Sequence, residues 1–438
     1  MADKPHLNLV VTGHVDHGKS TTMGHFLLDL GAVDQRTIDQ YASESEKTGS
    51  GDTFKYAWVM DSLKDERERG VTIDLAFQKF QTNKFFYTLI DAPGHRDFIK
   101  NMITGASEAD VGVLVSSAKK GEFEVGVDSG GQTREHAFLL KTLGVNQLIV
   151  AFNKFDDVTV NWTQERYDEV KERLADLLKT VGFNPEKIDF IPVSGWTGAN
   201  LKTRGDNLSW YKGPTLFEAL DKMVEPSKPT DKALRLPIQD VYTITGVGTV
   251  PVGRVETGKM KVGETIIVAP SMKTAEIKSI ETHHTEMPSA ECGDNIGFNL
   301  RGLSKKDMRR GDVIGPTSNP PKVAQEFIAQ IIVVHHPTAI APGYTPVLHA
   351  HTTQVAATLT ELVAKLDKRT GQPVENNPKS IKTGDAAIVK IQPLRPLCIE
   401  NFTEYPELGR FALRDMATTV AAGVVKEVTK EWDLTPKK

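Results

Sequence analysis

One octapeptide constrains this chain more than any other stretch: Gly13-His14-Val15-Asp16-His17-Gly18-Lys19-Ser20. It follows Leu7-Asn8-Leu9-Val10-Val11, an apolar run that reads as a buried strand. It precedes Thr21 to Leu30, which has few breakers and reads as a helix. G-x-x-x-x-G-K-S between a strand and a helix is the phosphate-binding loop. Its glycines leave room for backbone N–H groups to converge on anionic oxygens, and the helix N-terminus adds positive dipole. Lys19 can reach the β- and γ-phosphates, and the Ser20 hydroxyl can ligate Mg²⁺. Thr21, directly after, belongs to the same candidate set.

The 438 residues suggest about three domains at roughly 150 residues each. Apolar content of 39% and charged content of 25% predict folded cores rather than disorder. The net charge is −4 and the pI about 6.3, so there is no global attraction to nucleic acid, and RNA contacts must come from local basic patches. The two cysteines, Cys292 and Cys398, cannot build a disulfide framework or a zinc site by themselves. With no signal-peptide pattern and no run near the roughly 18 apolar residues of a membrane span, a cytoplasmic protein without a membrane partner is expected.

Residues 6 to about 224 alternate strand-like and helix-like stretches. Phe85–Ile90, Val111–Ser116, Gln147–Phe152 and Phe190–Val193 are short, apolar and β-rich. The clearest helix is Thr163–Val181, with Tyr167, Val170, Leu174, Leu177, Leu178 and Val181 on one face and Gly182 as its stop. Such alternation predicts right-handed crossovers and a mostly parallel, doubly wound sheet with ligands at the carboxyl ends of its strands. The run Lys64-Asp65-Glu66-Arg67-Glu68-Arg69-Gly70 reads, for most of its members, as a solvated helix face. Past Pro226-Ser227-Lys228-Pro229-Thr230, helical periodicity gives way to short strands and Gly turns, the pattern of a closed barrel. A second break, Thr317-Ser318-Asn319-Pro320-Pro321, opens another β-rich block with strands at Phe327–Val334 and Ala386–Ile391. The expected architecture is an α/β phosphate-loop domain, 1–225, followed by two all-β barrels, 230–318 and 322–438.

Four further motifs fall after strands or in neighbouring loops. Asp91-Ala92-Pro93-Gly94-His95 supplies an aspartate for a Mg²⁺ shell and a glycine N–H for a γ-phosphate. His95 stands where a residue that orients the attacking water is expected. Asn153-Lys154-Phe155-Asp156 is a base selector: an ionised Asp156 only accepts hydrogen bonds, and guanine offers two N–H donors on one edge. Such a site rejects the wrong base by about 10⁴–10⁵-fold. Lys154 can cover the base plane, and Ser194-Gly195-Trp196 can brace the base with backbone N–H groups. Thr72 is a candidate second hydroxyl ligand of Mg²⁺, in a loop that a triphosphate would order and hydrolysis release. The metal set is therefore Ser20, Thr72 and Asp91. His14, His17, His335, His336, His349 and His351 have no partners at metal-ligand spacing.

Together with Glu68-Arg69-Gly70-Val71-Thr72-Ile73, Gly131-Gln132-Thr133-Arg134-Glu135-His136 and Gly409-Arg410-Phe411-Ala412-Leu413-Arg414-Asp415, these motifs resemble the translational GTPases. The resemblance is nearest to the elongation factor 1-alpha type of archaea and eukaryotes and covers nearly the whole chain. The insert around Gln35–Tyr56 differs from the shorter stretch of bacterial elongation factor Tu. The resemblance implies GTP and GDP as nucleotides, Mg²⁺, ribosome-stimulated GTP hydrolysis, and delivery of aminoacyl-tRNA to the ribosomal A site. It also implies a guanine nucleotide exchange factor. Carried over by position, Glu281 would lie near the terminal adenosine of tRNA with His283 beside it, and Arg310 would meet the 5′ phosphate. Read by themselves, Lys305-Lys306-Asp307-Met308-Arg309-Arg310 form a small basic patch. The alternative is a related GTPase that carries a termination or ribosome-rescue protein. Dedicated carriers of that kind usually have long N-terminal extensions, whereas here the first strand begins within about ten residues. A non-translational nucleotide-binding module is a third, remoter reading.

Overall fold

The computed structural model describes residues 4–48, 54–61, 66–67, 72, 75–95, 98–107, 109–128, 131–226, 228–282, 285–367, 370–416 and 418–434. The chain divides into two compact units, Met1–Pro226 and Ser227–Lys438.

The first unit is a six-stranded sheet: β1 (His6–Thr12), β2 (Ala76–Gln81), β3 (Phe86–Asp91), β4 (Val111–Ser117), β5 (Gln147–Asn153) and β6 (Asp189–Pro192), in the order β2-β3-β1-β4-β5-β6. All neighbours from β3 to β6 are parallel. Both faces of these strands are covered, and β4 is buried at every position, so they read as continuous apolar runs. The edge strand β2 was not anticipated. It runs antiparallel to β3, and its alternating exposure leaves no apolar run to see. Among the described residues the unit also holds seven α-helices: α1 (Lys19–Asp29), α2 (Gln35–Thr48), α3 (Ile99–Ser107), α4 (Glu122–Val127), α5 (Gln132–Leu143), α6 (Gln164–Val181) and α7 (Leu216–Asp221). On α6 the expected apolar face is buried except for half-buried Val181, and Gly182 stops the helix at φ 103. The order of β3, β1 and β4 reverses direction at β1, so the loop after β1 sits at a topological switch point.

Of the charge run at 64–70 only Glu66 and Arg67 are described, and neither stands fully in solvent. Glu66 is 2% exposed. The Arg67 guanidinium lies over the rings of Tyr41 and Trp58 and donates to the Asp61 carbonyl at 2.9 Å. For Arg67 local charge density is no guide, because the aromatic residues that cover it are tertiary neighbours. Glu68, Arg69, Gly70, Val71 and Ile73 lie outside the described residues.

The second unit holds two closed sheets. In the first, Thr265–Ala269 pairs with both Val313–Pro316 and Lys273–Thr282, which joins the ends of the strand path. In the second, Val347–Ala350 pairs with both Thr353–Leu366 and Arg410–Asp415 and closes that ring as well. Closure removes the open edges of an antiparallel sheet, and each ring encloses its own apolar cluster. Between the barrels, Arg235 Nε donates to Glu400 Oε1 at 2.7 Å, with both side chains about 1% exposed. No helix among the described residues is long and apolar enough to cross a membrane.

Candidate functional site

The phosphate loop leaves β1 and enters α1 as expected. Gly13 has φ 149 and packs so closely on β4 that a Cβ would strike the Val115 carbonyl. Gly18 has φ 81 and caps α1 without a side chain. The loop is held from behind by α5. The Gly13 N–H donates to His136 Nδ1 at 3.0 Å, the Thr12 hydroxyl lies 2.7 Å from the same nitrogen, and the Val15 N–H reaches Gln132 Oε1 at 3.4 Å. The 131–136 stretch is thus a brace for the loop, a role that no local sequence signal reveals. His17 is another brace: its Nε2 donates to the Glu122 carbonyl at 3.2 Å, and burial holds its pKa down at about 3, so the ring is neutral. Lys19 is 7% exposed and its Nζ donates to the His14 carbonyl at 3.2 Å. Burial pulls its pKa below the ordinary lysine value, while Asp91, Asp61 and Asp16 oppose the shift. A Cβ on Gly94 would strike Lys19 Nζ, so glycine keeps this space open beside the ammonium.

At the helix end of the loop, Ser20 donates to Asp91 Oδ2 at 3.1 Å and Thr72 donates to Asp61 Oδ1 at 3.1 Å. The two hydroxyl oxygens are 3.3 Å apart. A hydroxyl that donates to a carboxylate keeps its own lone pairs free to accept. Asp91 Oδ1 is buried without a hydrogen-bond partner among the described residues. Burial pushes the Asp91 carboxyl up to about 6, against the pull of Lys19. Burial first, then the nearby Asp91, pushes Asp61 up to about 7. Hard oxygens with unspent lone pairs and unfavourably buried negative charge fit Mg²⁺. No cluster of three or more His, Cys, Asp or Glu able to hold a metal occurs among the described residues. Asp61 was not anticipated, because nothing around it in sequence marks it.

At the other end, Asn153 turns out to be a strut. Its Nδ2 donates to the His17 carbonyl at 2.9 Å, and its Oδ1 accepts from the Gly195 N–H at 2.8 Å, so one side chain ties the phosphate loop to the 194–196 loop. Lys154 adopts φ 63 and its ammonium pairs with Glu122 at 2.7 Å. The Asp156 side chain is half-buried and lines the same cleft. The described residues offer its carboxylate no hydrogen-bond partner.

The cleft that joins these ends has a volume of about 410 Å³. Val15, Asp16, Gly18, Lys19, Ser20, Thr21, Thr72, Gly94, His95, Asn153, Lys154, Asp156 and Trp196 all line it. Phe54, Ala57, Asp61 and Asp157 add walls that the motifs did not indicate. Gly13, His14, His17, Asp91, Ala92, Pro93, Ser194 and Gly195 are not part of this lining. His95 is half-buried, its ring centroid 5.8 Å from that of Phe98. The expected tRNA residues are elsewhere, in the second unit. Glu281 is exposed on Lys273–Thr282. Arg310 is exposed and donates to the Thr352 carbonyl at 3.2 Å. His283 lies outside the described residues.

The sequence matches the Elongation factor Tu GTP binding domain over residues 4–226, Elongation factor Tu domain 2 over 248–315 and the GTP-eEF1A C-terminal domain-like family over 326–426. It is 68% identical to an Elongation factor 1-alpha of Cenarchaeum symbiosum, with 98% of each chain covered. It is 59% identical to one of Staphylothermus marinus, with 97% of each covered. In fold it resembles the GTPase-like domain of S. cerevisiae Ski7, at a TM-score of 0.79 and 20% identity over 97% of each chain. The phosphate loop, its braces and a matching family along the whole length lead to one conclusion: the chain belongs to the elongation factor 1-alpha family of translational GTPases.

Proposed function

We propose that the 410 Å³ cleft of the first unit is the GTP site and that its named residues divide the work of binding and hydrolysis. A member of this family is a GTP-binding translation elongation factor with GTPase activity, and aminoacyl-tRNA and the ribosome are its partners. The observation that carries the site assignment is the polarity of the cleft. A buried lysine on a helix N-terminus lies at one end, and at the other stands a carboxylate with no hydrogen-bond partner among the described residues. The first suits a phosphate tail and the second the N–H edge of guanine.

In this reading the 13–21 backbone and Lys19 hold the phosphates, and Asp156 reads the base with Lys154 over its plane. Asn153 keeps the two loops in register. Ser20, Thr72 and Asp91 would hold Mg²⁺, with Asp61 steadying Thr72. When bound, the metal offsets charge on the phosphates. His95 orients the attacking water rather than removing its proton, and Gly94 gives its N–H to the γ-phosphate. No arginine lines the cleft among the described residues, so the ribosome supplies what the site lacks for fast hydrolysis. Glu281, His283 and Arg310 are the proposed tRNA contacts. An exchange factor, a cytoplasmic location and a release or rescue protein as second cargo belong to the same reading.

Filter binding of labelled aminoacyl-tRNA to the protein loaded with GTP or with GDP tests it. Retention with GTP only, lost as salt rises, is the expected result. Equal retention in both states would refute the switch.

A further inference from the structure

Three pieces of the first unit that share no motif meet beside the 194–196 loop. The Tyr56 ring stacks on the His25 imidazole of α1, with centroids 4.2 Å apart and planes 9° apart. The same ring stands edge-on to Trp196, at 6.0 Å and 74°. His25 Nδ1 donates to the Gly195 carbonyl at 2.9 Å, while the Gly195 N–H is held by Asn153 at 2.8 Å. Both backbone polar groups of Gly195 are therefore pinned, one by the base-selecting motif and one by the imidazole beneath Tyr56. The fit leaves no slack. A Cβ on Gly24 would strike the Tyr56 carbonyl, and one on Gly198 would come within 2.8 Å of His25 Nε2. Lys55 Nζ lies 5.3 Å from the Tyr56 centroid and 5.1 Å from that of Trp196, over both faces. The segment that carries Tyr56 also gives Phe54 and Ala57 to the cleft wall.

We propose that Tyr56, clamped between His25 and Trp196, is a positioning residue for the base-side loop and sets how long a guanine nucleotide is held. The proposal rests on the cleft being the guanine nucleotide site. Ser194 and Gly195 are buried, but the loop emerges at Trp196, which is 39% exposed. A loop so placed holds a base only if its backbone is fixed in advance, because any ordering left undone is charged against binding. The Tyr56 contacts supply that fixing from the side opposite to Asn153. Losing them lets the loop open, which speeds release. Capture by the phosphate loop, at the far end of the cleft, is unchanged.

The test is the release of N-methylanthraniloyl-GDP from the full chain, chased with excess GDP in a stopped-flow instrument. Tyr56→Ala is expected to release the nucleotide about tenfold faster, the scale of an aromatic contact worth roughly 1.5 kcal/mol. Tyr56→Phe keeps the ring and is expected to stay near the wild-type rate. Affinity for inorganic tripolyphosphate, which engages the phosphate loop without a base, is expected to be the same in all three proteins. A Tyr56→Ala rate within twofold of wild type overturns the proposal. So does a parallel loss of tripolyphosphate affinity, which would mark general loosening. If Tyr56→Ala does not fold, Tyr56→Leu, which keeps apolar bulk without the stacking ring, is read by the same criteria. A wild-type chain that binds no labelled GDP would overturn the site assignment itself, a result distinct from the others.

Discussion

Lys19, Asp156 and His95 each make a sharp demand on the site. Lys19 is buried with carbonyl and carboxylate neighbours, so Lys19→Ala is expected to abolish measurable triphosphate binding in equilibrium dialysis; affinity near wild type would contradict its role. Asp156→Asn replaces an acceptor with a group that also donates. Xanthine carries a carbonyl where guanine carries an amino group, so competition assays are expected to show a shift toward xanthine nucleotides. His95→Ala is expected to leave nucleotide affinity unchanged and slow ribosome-stimulated single-turnover hydrolysis by roughly 10²-fold, the scale of one positioned group. These three side chains were legible because each lies in a short motif whose spacing is set by backbone geometry. Asp61 and His136 were not, since their partners, Thr72 and Gly13, are 11 and 123 residues away in sequence.

At the level of elements, α1 shows how packing overrides local preference. Alanine is favoured over glycine in a helix interior by about 1 kcal/mol, so propensity alone says Gly24→Ala should stabilise. Yet a Cβ there would strike the Tyr56 carbonyl, and backbone cannot swing aside as a long side chain can. The clash is expected to win, lowering the melting temperature of the nucleotide-free protein by several degrees; calorimetry that shows a rise would overturn the packing account. The parallel strands β1, β4 and β5 were plain in the sequence because burial on both faces leaves unbroken apolar runs. The antiparallel edge strand β2 was hidden because one of its faces meets solvent and its length is only six residues.

Across the whole molecule, the second unit joins its two barrels through a buried ion pair. Arg235 also donates to the carbonyls of Leu234 and Asn319 and lies over the Tyr405 ring. Removing one partner of such a pair leaves an uncompensated buried charge, so Arg235→Met is expected to cost about 3–5 kcal/mol in urea unfolding. The double variant Arg235→Met/Glu400→Leu should recover much of that loss, and equal loss in both would argue that the contact is packing alone. The same unit carries a pH dependence. Burial holds the pKa of His349 down at about 3, helped by Arg414 and Arg310, and that of His351 at about 4. In the unfolded chain both return to about 6.5, so below that pH the unfolded state binds more protons and the folded state is penalised. Stability is thus fully present above about pH 6.5 and falls as pH drops toward 4, by about 1.4 kcal/mol per unit for each histidine. Asp312, raised to about 6 by burial, opposes part of this trend. The readout is therefore a difference: His351→Gln should show a smaller loss between pH 7.5 and 5.0 than wild type.

The sequence by itself determined the order of parts: a phosphate loop after a buried strand, three more motifs after later strands, then strand-rich barrels. Those features are local, written in hydrophobic period, glycine position and motif spacing, and they need no knowledge of distant contacts. Only the tertiary structure decided which groups stand behind the motifs. It turned a charge run into buried Glu66 and ring-covered Arg67, made Asn153 a strut, and set Tyr56 between His25 and Trp196. Each of those outcomes depends on side chains brought together by the fold, and no hydrophobic period or motif spacing along the chain records such a meeting.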